Sequence, residues 1–265
     1  MVLAILERLG IYFLPFAIVG AAGGVIVMAL ILALLFLLHF THGEDLERRK
    51  QALQQWAGAQ DYTYTDVESP VPAMAFGFME LFKASVSKPT GFTPLITGHY
   101  AQLPIMVFDY RGYSKPARQI HLYDQTVVVV MSGLSMPTGV VLRPKEFRRM
   151  LDVGWPGELA EVELTGEQWE PIAAHYEVRS ADSGLARTCA QAQAILPVFG
   201  DQPDLSNEFG KGAVALVWTA KSNVMLRDIR QPAATIETMI QVGHGILDRL
   251  SSTLAGSLVP EKTDA

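Results

Sequence analysis

Residues 92–111 read FTPLITGHYAQLPIMVFDYR, and residues 119–131 read QIHLYDQTVVVVM. Phe92–Tyr100 and Leu103–Arg111 are strand-forming runs separated only by Ala101 and Gln102. A two-residue connection makes a hairpin, so these strands pair antiparallel. Gln119–Met131 supplies a longer strand with Val127–Val130 at its core.

Working outward, Asp61–Val67 alternates like a strand, and Pro70 and Pro72 then interrupt regular structure. Downstream, Gly139–Leu142 predicts a short strand, and Pro144 is placed to open a small helix. Leu159–Leu164 alternates again, and Thr165 with Gln168 has capping-box spacing ahead of Trp169. Tyr176–Arg179 and Ala213–Thr219 read as strands, and Ser183–Leu196 reads as a helix. Pro232 opens a last helix, in which Ile236, Met239, Ile240, Gly243, Leu247, Leu250 and Leu254 share one face. Strands come in a run joined by short turns, with helices gathered near the ends. That order predicts an α+β fold with a mainly antiparallel sheet.

The second decisive stretch is Ile11–Leu38, 28 residues without a charge. About 20 apolar residues cross a bilayer, so this run predicts one N-terminal transmembrane helix. Small residues at Gly20–Gly24 imitate a signal-peptidase site, but the apolar run continues well beyond them, which favours a retained anchor. Arg8 alone precedes the run, whereas Arg48, Arg49 and Lys50 follow it. The excess of cations downstream predicts an outside N-terminus and a cytoplasmic C-terminal domain in the bacterial inner membrane. Ala17, Gly20, Ala21 and Gly24 form a small-residue face suited to close helix–helix contact. The expected partners are membrane lipids and other membrane subunits, or a second copy. The expected organisation is an interfacial segment over 1–10, the membrane helix over 11–40, and a juxtamembrane helix over 41–60. An α+β domain follows over 61–254, with a tail over 255–265.

Net charge is −6 over 265 residues, which argues against a nucleic-acid footprint. The single cysteine, Cys189, excludes an internal disulfide framework.

The segment from Gly98 through Val107-Phe108-Asp109-Tyr110, followed by Gln125-Thr126-Val127, resembles an uncharacterised group of bacterial membrane-anchored proteins. Those proteins share a V-x-x-F-D-Y-like strand and a Q-T-V-rich strand. Gly139–Pro144 resembles their later proline-flanked strand, and the likeness spans roughly residues 95–150. The resemblance implies an α+β cytoplasmic domain on an anchor and carries no known activity.

Chemistry-bearing residues are few. His39 and His42 have the i,i+3 spacing of a helical metal or pigment contact, but no further ligands are fixed by spacing. A plain interfacial role, with polar tips in water, accounts for them more simply, and no cofactor is expected. Asp109, His121 and Asp124 are the residues a membrane-tethered hydrolase would use, with His99 and Cys189 nearby in type. Asp109 is placed to end a strand, and His121 and Asp124 fall on opposite strand faces. No GxSxG elbow, phosphate loop or cysteine signature is present. Arg143, Lys145, Arg148 and Arg149 form a basic cluster that could meet anionic lipid or lie on a solvated helix face. Ala73–Phe82, with Phe76 and Phe78, either completes the core beneath the sheet or docks on lipid or a partner. The resulting expectation is a non-enzymatic, single-pass accessory or scaffold subunit of a larger membrane complex.

Overall fold

The computed structural model describes residues 27–28, 30–32, 46–67, 92–114, 121–134, 139–145, 159–194, 205–210, 212–218 and 226–257. The chain divides into two units, Met1–Gln51 and Ala52–Ala265. In the first, residues 27–28 and 30–32 are helical. Among the described residues, no helix is long and apolar enough to cross a membrane. Most of the uncharged run, including Ala17, Gly20, Ala21 and Gly24, lies outside them, as do His39 and His42.

Helix α1 spans residues 46–59, and it buries Leu53 and Ala57. It ends in a Schellman turn: Tyr62 N–H donates to Ala57 O at 2.8 Å and Asp61 N–H to Gly58 O at 3.4 Å. Asp61 takes the left-handed position of that motif, at φ 60. The turn sends the chain directly into β1 (Thr63–Thr65).

The described strands form one ten-stranded sheet. β2 (Phe92–Tyr100) and β3 (Leu103–Ser114) make the expected hairpin, with Tyr100 opposite Leu103. Its turn residues Ala101 and Gln102 both have positive φ, 46 and 71, as a type I′ turn requires. β4 (His121–Met131) pairs antiparallel with β3. The order continues through β9 (Ala213–Trp218), β8 (Leu205–Gly210), β5 (Val140–Pro144), β7 (Tyr176–Ser180) and β6 (Ala160–Glu161). β10 (Leu226–Ile229) runs parallel to β4 along Leu122–Gln125, whereas β9 runs antiparallel along Val127–Met131. The fold is therefore α+β with a mainly antiparallel sheet.

Three helices complete the described elements: α2 (Glu170–His175), α3 (Ser183–Ala194) and α4 (Ala233–Ser257). Asp182 caps α3, its Oδ1 accepting from Gly184 and Leu185 N–H at 2.8 and 3.0 Å. α4 begins just after Pro232 and buries Ile236, Met239, Ile240, Leu247 and Leu250. Val242 and Ile246 join that face, so it is wider than its sequence pattern implied. The backbone at Gly243 lies against the sheet: an added Cβ would sit 2.6 Å from Leu216 Cδ1 and 2.7 Å from Val130 Cγ2.

Alternation sorts the sheet into two faces. Ile105, Val107, Val128, Val130, Val214, Leu216, Leu142 and Val178 form one core with helices α1 to α4. Phe92, Leu95, Met106, Phe108, Val127, Val129, Ala213, Ala215 and Val217 form a second core on the opposite face. No described helix contributes to the second.

Three local readings change. The strand before Pro144 is longer than its sequence pattern implied: Pro144 itself ends β5 opposite Tyr176, and Lys145 directly after it is helical. Pairing with β8 covers only Val140–Leu142, so this proline lies where the strand has one neighbour, and there a missing N–H is tolerated. Thr165 does not cap. Gly166, at φ 113, precedes a short 3₁₀ turn (Glu167–Trp169) that has no side-chain cap bond. β8 and β10 carry no strand signal in the sequence, yet both join the sheet.

Candidate functional site

The hydrolase candidates are spread along one strand pair. Asp109 lies inside β3, not at a strand end, and is 8% exposed. Thr126 Oγ1 donates to its Oδ1 at 2.7 Å and accepts from the Gln231 N–H at 2.8 Å. These bonds tie β3 and β4 to the segment that leads into α4. Asp124 pairs with Arg111 and His121 with Ser114. His121 is thus five positions along β4 from Thr126, the residue opposite Asp109. At about 3.4 Å per residue that is about 17 Å, far beyond hydrogen-bond reach. Cys189 is fully buried in α3, and burial pushes its thiol up to about 12, so it is a poor nucleophile. Among the described residues, no group of three or more His, Cys, Asp or Glu is placed to hold a metal ion.

The basic cluster separates. Arg143 belongs to β5 and is 8% exposed, so it is not on a solvated helix face. Lys145 is exposed, and its Nζ donates to Ala173 O. Arg148, Arg149, Phe76 and Phe78 lie outside the described residues. The sequence grouped Arg143 with the helix that follows Pro144; β5 instead runs on through Arg143 and Pro144, with Arg143 opposite Glu177, and Lys145 is helical.

The structure assembles two constellations that the sequence does not advertise. One is a charged stripe on the face opposite the helices. Arg143 stands across from Glu177, and Arg179 Nε donates to Glu177 Oε1 at 2.8 Å. Arg179 also lies 3.9 Å from Glu161, and Glu208 is buried on β8 beside Val141. The stripe runs from the buried middle of the sheet to its β6 edge. Arg179 thus pairs with two carboxylates, and these residues form a structural ladder of charge across the strands.

The other constellation is an aromatic corner where the end of α1, β1, the end of β2 and α4 meet. Trp56 and Tyr62 pack edge-to-face, with centroids 5.5 Å apart at 72°. Tyr62 covers Gly98, where an added Cβ would collide with its ring at Cδ1. Tyr100 packs edge-to-face on His244 at 5.5 Å and 80°. Burial, and secondarily the charges of Glu237 and Tyr100, lift the Tyr62 phenol above its ordinary range. The clue available in the sequence was the i,i+7 spacing of Glu237 and His244, which puts both on one side of α4.

No protein-family model matches the chain, and no curated protein matches it. Among solved structures, it is similar to the crystal structure of the mycobacterial trehalose monomycolate transport factor A, TtfA. The TM-score is 0.51 at 13% identity, with 77% of this chain and 93% of that one covered, so the two share a fold.

Proposed function

We propose that this chain is a single-pass, membrane-anchored accessory subunit of an inner-membrane assembly that moves a lipid-linked sugar, and that it is not itself an enzyme. The observation that carries this reading is the uncharged run Ile11–Leu38. Its described helical residues leave Val27 45%, Met28 54%, Leu30 65% and Leu32 59% exposed. Large apolar groups in that density on one helix call for lipid or another helix around them. The shared fold with a transport factor supports the accessory role and the class of cargo. The cations Arg48, Arg49 and Lys50 support a cytoplasmic C-terminal domain.

The test is extraction of the full chain from membranes followed by purification in mild detergent. The protein should resist alkaline carbonate, dissolve in detergent and elute with at least one larger membrane subunit. Gly20→Leu with Gly24→Leu should keep it in the membrane and release that subunit. A lone monomer in mild detergent, or release by carbonate, sinks the proposal.

A further inference from the structure

The aromatic corner has the chemistry of a sugar site. The Schellman turn at Asp61 brings Trp56 and Tyr62 together, and Gly98 lets the Tyr62 ring lie against β2. Tyr100 closes β2 two residues further on and meets His244. Glu237 stands two helical turns before His244 on the same side of α4. All five side chains are half-buried, and the Trp56, Tyr62 and Tyr100 rings pack against the helix-covered core. Trp56 Nε1 is buried and, among the described residues, has no acceptor, although a buried indole N–H ordinarily finds one.

We infer that this corner binds the neutral sugar of a lipid-linked saccharide through Trp56, Tyr62, Tyr100, Glu237 and His244. The inference rests on the transport reading above and names the part of the cargo that is held. A pyranose presents apolar C–H faces that stack on aromatic rings, and a rim of hydroxyls that both donate and accept. Glu237 accepts from such a rim, the phenols and imidazole do either, and the Trp56 N–H gains the acceptor it lacks. An anionic headgroup does not fit beside the Glu237 carboxylate. A quaternary ammonium prefers converging ring faces, whereas these rings meet edge-to-face.

The experiment uses full-length protein in detergent with free α-linked and β-linked glucose disaccharides as probes, read by saturation-transfer NMR and titration calorimetry. One anomer series should bind, and Trp56→Phe, which keeps a ring and deletes the donor, should weaken it about tenfold. Glu237→Gln should weaken binding without lowering the melting temperature, so that the result does not hinge on Trp56 being structural. Absence of saturation transfer with every disaccharide, equal affinity in wild type and Trp56→Phe, or displacement by choline would each overturn the site. Sugar-binding failure with the membrane subunit still co-eluting sinks this inference alone; loss of the subunit as well sinks the transport reading beneath it.

Discussion

β4 and β8 are both interior strands of one sheet and both are buried, but they are buried for opposite reasons. In β4, Val127, Val128, Val129 and Val130 are each 0% exposed. Each brings its own driving force, since burying a valine is favourable wherever its neighbours are apolar. In β8, the central residues are Ser206, Asn207 and Glu208, at 8%, 0% and 5% exposed. None of them favours burial alone. They are tolerated because partners converge from other strands, as where Ser206 Oγ donates to Leu142 O at 3.3 Å. One strand is self-sufficient and the other is hosted.

The sharpest way to break this contrast is to exchange chemistry between the two strands. Val128→Asn puts an amide into the helix-covered core with no partner and removes a buried branched side chain. It should cost about 3–4 kcal/mol, read as a fall in the urea midpoint at unchanged slope. On the charged face, Glu177→Ala deprives Arg179 of its 2.8 Å acceptor and Arg143 of its cross-strand carboxylate. Removing one member of a buried charge set should cost about 3 kcal/mol in the same measurement. Glu177→Gln should cost less, because it keeps an acceptor.

Asn207 tests the contrast in the other direction. Among the described residues its Nδ2 makes one long bond, to Leu205 O at 3.4 Å, and its Oδ1 has no partner. Register puts Leu142 and Leu216 beside it. Asn207→Leu should therefore be neutral or stabilise by about 1 kcal/mol, raising the melting temperature. A loss of 2 kcal/mol or more would mean that the amide is satisfied in solution and that β8 is hosted more fully than its protein contacts imply.

The smallest effect concerns the hairpin that precedes β4. Gln102, at φ 71, occupies a position glycine takes without strain. Gln102→Gly should stabilise by about 0.5–1 kcal/mol through relief of that strain. A loss of stability instead would show that the Gln102 side chain contributes more than its conformation costs.

The legibility of each element follows the same contrast. The β2–β3 hairpin and β4 could be read because their apolar runs and their two-residue turn are local facts. The last helix was readable for the same reason, although Val242 and Ile246 show that periodicity underestimates a face that meets a broad sheet. β8 reads as a polar loop, and β10 as nothing regular, since their strand character lies in their neighbours. Arg143 was assigned to the wrong surroundings for that reason: the residue opposite it, Glu177, is 34 positions away in the chain. The catalytic candidates Asp109, His121 and Asp124 could be picked by residue type, but only the strand register separates them. The corner of Trp56, Tyr62, Tyr100, Glu237 and His244 draws on three elements and the turn between α1 and β1, and has no linear signature.

Hydrophobic patterning needs no partner to be recognised, because transfer from water acts on each side chain where it stands. It accounts for the uncharged run, the antiparallel order and the α4 face. Polar and aromatic groups acquire their energies from what lies across the strand or over the sheet. The buried charge ladder, the Asp109–Thr126–Gln231 tie and the aromatic corner therefore exist only once the chain is folded.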